Sequence, residues 1–443
     1  MKPIKFTLIL FLFCLSALWW YADFTKIALA SGLFPWRGLM TQLFGILTFG
    51  AFSLAIILAV RPTWFEKHLG GLDKMYRLHK WLGISVLALS ICHWLWVKTP
   101  KWLVEAGWAV RPPKGKRPEQ SIEIFRFFQS QREIAEQIGE WAFYVALAMI
   151  LIALVKRLPY KYFYKIHRWI ALLYFPLVWH SVVLMDFNYW ASPLGIVMGA
   201  LMLIGTTAAF TSLFNYIGIN HIAVGVIDKI EYLENVSVNA VSVQLKSRWN
   251  GHQAGQFAFV TFDNDEGAHP FTISSAWQND GKLRFLVKAL GDYTKTLAST
   301  LKHDALVKVE GPYGCFDFNG KMQRQIWISG GVGITPFIAR MELLALQPDG
   351  RSIDFFHSSK VFRDEEFDRL SELAKTAGVN LHLIISARDG ELTSEKIRAK
   401  VFDWKSADIW FCGPASFGKA ILTSLLAEGL TANQFHQELF EMR

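Results

Sequence analysis

The sequence predicts a multi-domain membrane protein: a six-helix transmembrane bundle, then a small antiparallel β-barrel, then an α/β domain. Three observations predict it. The chain has 443 residues and is 52% hydrophobic, and nearly all its long apolar runs lie before residue 215. Between about 217 and 320, short alternating runs separated by turn residues read as strands. From about 321 the pattern becomes strand, glycine-rich turn, helix. The expected domains are therefore 1–216, 217–320 and 321–443.

Six apolar stretches reach the roughly 20 residues that a bilayer crossing needs. They lie near 6–22, 39–60, 77–97, 138–156, 165–186 and 192–214. Lys2 and Lys5 precede the first; Arg61, Lys67, Lys74, Arg77 and Lys80 sit between the second and third; Lys156, Arg157, Lys161, Lys165 and Arg168 sit between the fourth and fifth. With six spans these basic segments share one side, which is expected to be cytoplasmic, and the soluble half follows on that side. The loop with Arg111, Lys114, Lys116 and Arg117 falls outside; it is long, and long loops obey the charge rule less strictly. A helix within 121–137 is expected at the interface. Lys2, Lys5, the first apolar run and Ala28-Leu29-Ala30 also resemble a signal peptide with its cleavage site. The length of the run and the belt Trp19-Trp20-Tyr21 favour a retained span.

The net charge of +9 is accounted for by these loops and calls for no nucleic-acid partner; the expected partner is the lipid bilayer. Cys14, Cys92, Cys315 and Cys412 are scattered, so neither a disulfide framework nor a cysteine metal site is expected.

Ionisable residues inside spans are expensive and ask for a reason. The third span holds His79 and His93, fourteen apart; the fifth holds His167 and His180, thirteen apart. At 1.5 Å per residue these separations are about 21 and 20 Å. Both spans are odd-numbered and run in parallel. His79 can then face His167 near the inner surface, and His93 can face His180 near the outer surface. Two such pairs suit two b-type haems stacked across the bilayer. The inner pair sits in a local repeat: Tyr76-Arg77-Leu78-His79-Lys80-Trp81 matches Tyr164-Lys165-Ile166-His167-Arg168-Trp169. Its cations suit haem propionates or snorkelling anchors. Thirteen residues miss the starting helix face by about 140°, so the fifth span must distort, with Pro176 a plausible cause. Tyr174 lies midway between the two levels and either bridges the haems or fills space. Arg37, near the outer end of the second span, suits an outer propionate, an acceptor or an interface anchor.

The soluble half supplies expected strands at 223–232, 236–245, 256–262, 283–287 and 306–310. Lys288-Ala289-Leu290-Gly291-Asp292-Tyr293-Thr294 places a cation, a glycine and a hydroxyl at the head of a helix, which suits a pyrophosphate. Further strands are expected at 325–329, 353–357, 381–385 and 408–412. The turn Gly330-Gly331-Val332-Gly333-Ile334-Thr335-Pro336 lets a dinucleotide approach the backbone, and Pro336 suits a first helical turn. Phe411-Cys412-Gly413-Pro414 ends a strand where ligands bind in such sheets.

Together these residues resemble the ferredoxin-reductase-type flavin and nicotinamide module joined to a ferric-reductase-like membrane domain, as in the NADPH oxidase and ferric reductase superfamily. The resemblance covers nearly the whole chain, weakest in the first span and the 98–137 loop. It implies FAD contacts at His269, Pro270, Phe271, Thr272 and Ser274, with Thr272 near the reactive edge of the flavin, and at Lys288, Gly291 and Thr294 for the pyrophosphate. It implies a nicotinamide-dinucleotide loop at Gly330, Gly331, Gly333 and Thr335, and a nicotinamide-side motif at Cys412, Gly413 and Pro414. Phe440 is the implied aromatic that covers the flavin and yields to nicotinamide. Many soluble relatives carry Arg and Tyr where this chain has His269 and Phe271. Lys360, Arg363 and Arg388 follow sheet strands where a 2′-phosphate would sit or are solvated charges, and favour NADPH over NADH.

The expected activity is electron transfer from cytoplasmic NAD(P)H through FAD and two haems to an acceptor beyond the membrane. That acceptor is dioxygen, giving superoxide; a ferric chelate or a periplasmic partner protein is the alternative. The expected location is a bacterial inner membrane, with no obligatory regulatory subunit.

Overall fold

The computed structural model describes residues 2–113, 120–155, 159–360 and 364–438. Its contacts divide the chain into two compact units: Met1–Pro62 with Lys74–Ile217, and Thr63–Asp73 with Gly218–Arg443.

The first unit is helical: α1 (Lys2–Leu29), α2 (Leu33–Ala59), α4 (Leu72–Glu105), α5 (Glu123–Ser130), α6 (Arg132–Leu154), α7 (Tyr160–Arg168), α8 (Ile170–Leu184) and α9 (Pro193–Leu213); α3 (Thr63–Leu69) falls within the second unit. Among the described residues, five helices are long and apolar enough to cross a membrane: α1, α2, α4, α6 and α9. The expected fifth span is the exception, because the chain breaks at Trp169 and divides it into α7 and α8. The interruption lies at Trp169; Pro176 sits inside α8. The expected interfacial helix is α5, and α6 begins at Arg132, earlier than the apolar run itself.

Outward faces of the bundle are apolar. Phe6, Ile9, Phe13, Ile196 and Leu203 are each about two-thirds exposed or more, an arrangement that water would penalise and lipid would not. Polar side chains turn inward and find partners. Buried Asp23 of α1 accepts from the Tyr189 hydroxyl and pairs with Lys26 at 3.0 Å, and Lys26 also pairs with Asp186. A carboxylate removed from water needs such partners.

In the second unit, six antiparallel strands form one sheet in the order β4-β3-β6-β1-β2-β5: β1 (Ile222–Leu233), β2 (Val238–Leu245), β3 (Phe257–Thr261), β4 (His269–Thr272), β5 (Lys282–Lys288) and β6 (Leu306–Tyr313). The ladder is not a closed barrel. Its edges β4 and β5 meet through the single bridge Ile273↔Phe285. Strand β4 was absent from the expected strands because it is short and contains Pro270; an edge position is where a sheet tolerates proline. Alternation buries Val241, Val243, Leu283, Phe285, Val287, Val307 and Val309 on one face.

Five parallel strands follow in the order β11-β10-β7-β8-β9: β7 (Arg324–Gly330), β8 (Ser352–Ser359), β9 (Val379–Ile385), β10 (Ala407–Cys412) and β11 (Phe435–Gln437). Helices cover both faces, which is why the central strands are buried almost throughout. Helix α3 belongs here by its contacts: buried Glu66 accepts the backbone N–H groups of Leu72 (3.1 Å) and Gly314 (2.7 Å).

Candidate functional site

The four membrane histidines form two pairs. The rings of His79 and His167 lie 5.8 Å apart and those of His93 and His180 lie 6.3 Å apart, each at 79°. Three of the four rings are oriented by a backbone carbonyl through Nδ1: His79 by Ala55 (2.8 Å), His93 by Thr41 (3.0 Å) and His180 by Ala135 (2.8 Å). A proton on Nδ1 leaves the Nε2 lone pair for a metal, and such partners fix the ring and raise its donor strength. Among the described residues, the buried Nδ1 of His167 has no hydrogen-bond partner, and its ring stacks on Phe163 at 5.0 Å.

This arrangement fits haem. Two imidazoles bound to one iron at about 2 Å each, with the ring centre about 1 Å behind the nitrogen, stand about 6 Å apart. Both pairs meet that spacing. Small residues make room for the outer pair. A Cβ on Gly139 would lie 2.0 Å from His180 Nδ1, and one on Gly45 would lie 3.3 Å from His93 Cε1. Each glycine is one turn beyond the carbonyl that holds the ring (Ala135, Thr41), so the ring sits on bare backbone.

Between the two levels stands Tyr174, fully buried. Its hydroxyl donates to Leu201 O at 3.1 Å and meets the Ser53 hydroxyl at 2.8 Å, and Phe49 and Phe52 flank its ring at 5.2 and 5.4 Å. Gly205 makes room for it, since a Cβ there would lie 2.0 Å from the hydroxyl. Arg37 donates to Val97 O at 3.4 Å.

In the second unit, His269, Pro270, Phe271 and Thr272 form the edge strand β4. His269 stacks on Tyr293 at 4.6 Å and 25°; burial pushes the imidazole pKa down, against the pull of Glu266. Lys288 ends β5, and its Nζ would lie 3.6 Å from a Cβ on Gly331, which adopts φ +57°. Lys288 and the glycine-rich turn are thereby neighbours. The turn Gly331–Ile334 leads into α11 (Thr335–Leu346), with Pro336 in its first turn, so that N–H groups at a helix start face the strand ends. Gly333 packs on the nicotinamide-side motif: a Cβ there would lie 2.2 Å from Cys412 O and 2.9 Å from Gly413 Cα. Gly330 likewise approaches Pro414.

Several implied contacts are committed elsewhere. Ser274 is buried, donates to Arg284 O at 2.9 Å and accepts from Arg284 Nε at 3.1 Å. The Thr294 hydroxyl accepts the N–H groups of Leu290 and Gly291 at 3.0 Å each and so caps α10 (Asp292–Thr300). Arg388 is exposed and bidentate to Asp389 at 2.8 and 3.0 Å, which holds that carboxyl down at about 2. Lys360 is exposed. Phe440 and Arg363 lie outside the described residues.

Two residues escaped sequence reading. His357 on β8 is buried and meets the Ser329 hydroxyl at 2.7 Å beneath the dinucleotide turn; burial pushes it down to about 4. Glu438 is buried near Cys412, whose thiol pKa is raised by burial and by that carboxylate. Neither belongs to a local motif, so only the fold brings it to the site.

Residues 44–178 match a ferric reductase like transmembrane component, and residues 227–317 match an FAD-binding domain. This pairing of a ferric-reductase-like transmembrane component with an FAD-binding domain is typical of the NADPH oxidase and ferric reductase superfamily, flavoprotein oxidoreductases with a transmembrane part. The chain thus joins an apolar helical N-terminal region to an FAD-binding domain. It is 35% identical over 117 residues to flavohemoprotein A of Dictyostelium discoideum, covering 26% of this chain and 29% of that protein. It is 26% identical over 203 residues to the glycine betaine monooxygenase reductase subunit of Chromohalobacter salexigens, covering 42% and 55%. The chain thus spans about a third to a half of these relatives. A flavohemoglobin structure from Malassezia yamatoensis aligns at 16% identity and TM-score 0.43, covering 69% of this chain and 88% of that one. The FAD/NAD binding domain of a Vibrio cholerae nitric oxide dioxygenase aligns at 22% and 0.42, covering 49% and 97%.

Proposed function

We propose that the chain carries electrons from cytoplasmic NAD(P)H, through FAD and two b-type haems, to an acceptor beyond the membrane, with dioxygen giving superoxide as the first reading. The domains 1–216, 217–320 and 321–443 serve as haem, flavin and nucleotide carriers, and the membrane is a bacterial inner membrane. The observation that carries this reading is the two histidine pairs at iron-bridging spacing, three rings of which are already oriented by carbonyls. Bound FAD takes two electrons as hydride and gives them up singly, and haem takes one.

The chain's own residues do the rest. Gly330, Gly331 and Gly333 let a dinucleotide close on the backbone, Lys288 offsets pyrophosphate charge, and Cys412, Gly413 and Pro414 border the nicotinamide. Thr272 and Phe271 at the sheet edge would border the flavin, and Phe440 is the aromatic that the resemblance offers to cover it. His79 and His167 would hold the inner haem, and His93 and His180 the outer. Tyr174 fills the gap between them with an aromatic ring and excludes water. Two histidines at each level would leave no ligand position for an acceptor, so the acceptor would take its electron without binding the metal. A second reading, reduction of a ferric chelate, is favoured by a cavity near the outer pair whose wall carries Gln42, Gln120, Gln129, Arg132, Asp186 and Asn188.

NADPH-driven turnover of FAD-supplemented protein, read by cytochrome c reduction, tests the acceptor. Abolition of the signal by superoxide dismutase supports dioxygen. A signal that needs ferric chelate and ignores dismutase refutes it.

A further inference from the structure

Strand β5 turns Leu283, Phe285 and Val287 into the core, so Arg284 and Lys288 share its outward face. Four residues of strand set them about 13 Å apart. Helix α11 meets that face at two levels. The glycine-rich turn before it brings Gly331 beside Lys288, and Glu342, further along the helix, meets Arg284. Thr335 and Glu342 are separated by about two helical turns, or about 10 Å, so they stand on one side of the helix.

Arg284 is the centre of the second contact. Its guanidinium donates to Ser274 Oγ at 3.1 Å, to Ser274 O at 2.7 Å and to Glu342 Oε1. Its backbone N–H donates to Ser275 Oγ at 3.1 Å, and its carbonyl accepts the Ser274 N–H at 2.7 Å. Glu342 uses its other oxygen to accept the Ala276 N–H at 3.0 Å. The segment 274–276 runs on from the edge strand β4, and α11 runs on from the glycine-rich turn. A single carboxylate therefore joins the segment expected to border the flavin to the helix expected to carry the nucleotide.

The pair is open to water, with Arg284 35% and Glu342 24% exposed, and ion pairs so placed add little stability. A planar guanidinium with its donors in a fixed fork sets distance and direction instead. Hydride transfer needs both: the reacting atoms must stand about 3–3.5 Å apart, and a misplacement of about 1 Å costs about a hundredfold in rate. We propose that Arg284 and Glu342 are positioning residues that set the dinucleotide turn against the flavin strand, so that the pair governs how fast NADPH reduces the flavin and not how tightly either is held. The inference rests on the cofactor order proposed above.

The test uses the full chain in detergent with haem and FAD, under anaerobic conditions. Glu342→Ala removes the carboxylate, and Arg284→Lys replaces the fork by a point charge. Glu342→Gln, which keeps an acceptor, is the conservative variant. Asp349→Ala is the control, because it deletes the 2.6 Å ion pair with Arg340, on the same helix but turned away from Glu342 by about 200°. Stopped-flow bleaching of the flavin gives the limiting rate with NADPH. Titration with NADP+, followed by the flavin difference spectrum, gives the Kd and the amplitude without turnover. The expected result in Glu342→Ala and Arg284→Lys is a limiting rate lower by about tenfold to a hundredfold. The amplitude shrinks with it, while the NADP+ Kd and the FAD per chain stay as in the wild type. Glu342→Gln recovers most of the rate, and Asp349→Ala keeps the wild-type rate and amplitude. An unchanged limiting rate in both Glu342→Ala and Arg284→Lys overturns the proposal. So does loss of FAD from both, because the pair is then part of the flavin seat, and so does a raised Kd at unchanged amplitude, because the pair then serves binding. Failure of NADPH to reduce the flavin of the wild-type protein refutes the electron path itself, a different outcome.

Discussion

Gly139→Ala places a methyl group where the His180 ring now lies. The added Cβ would stand 2.0 Å from His180 Nδ1 and 2.2 Å from Cε1, far inside contact distance, so the ring must move. Its 2.8 Å bond to Ala135 O is then lost or bent. A buried polar group left unsatisfied costs about 1–3 kcal/mol, and losing a partner that orients a metal ligand typically costs about 10–100-fold in affinity. The two ranges agree, since each 1.4 kcal/mol is about tenfold. The expected outcome is selective: outer haem is weakened or lost while the pair at His79 and His167 keeps its own. Haem per chain should fall from two toward one, and a potentiometric titration should lose one component. Gly38→Ala, where nothing lies within 4 Å of the new Cβ, should change neither. Two haems with unchanged potentials in Gly139→Ala would refute the account of how His180 is positioned.

Other outcomes follow from the same geometry. Tyr174→Phe keeps the ring but deletes its bonds to Ser53 and Leu201, so thermal unfolding should show a loss of about 1–3 kcal/mol with inter-haem transfer retained, whereas Tyr174→Leu should slow that transfer in flash-reduction kinetics. Gly333→Ala drives a Cβ to 2.2 Å from Cys412 O; nucleotide binding, read by isothermal titration, should weaken while FAD content holds. His357 is lowered by burial from 6.5 to about 4. Its unfolded form therefore binds more protons between those values, and the stability that this contributes is present above pH 6.5 and lost as pH falls toward 4. The loss is roughly 3 kcal/mol. Chemical denaturation followed against pH should show it, and His357→Gln should flatten that stretch of the profile.

The four histidines were legible because an ionisable residue in an apolar run stands out and because thirteen- and fourteen-residue spacings translate into depth. The glycine-rich turn and the Cys412-Gly413-Pro414 end were legible as local motifs. What the sequence could not reveal depends on direction. The thirteen-residue spacing required a distortion, yet nothing marked Trp169 as its place, and Pro176 drew attention because proline breaks helices in general. Gly139 and Gly45 read as ordinary span glycines until the rings that rest on them are placed. Strands β4 and β11 are too short for alternation to register. Ser274 and Thr294 sit in motifs, but only the fold tells that their hydroxyls serve Arg284 and the head of α10.

Anaerobic titration of the purified, FAD-supplemented protein with NADPH, following the haem absorbance with haem content measured per chain, tests the central claim most directly. The expected result is two low-spin haems per chain, both reduced by NADPH, with His93→Ala and His180→Ala each abolishing one and leaving the other reducible. Haems that stay oxidised beside a reduced flavin, or two haems per chain that survive either substitution, would contradict it.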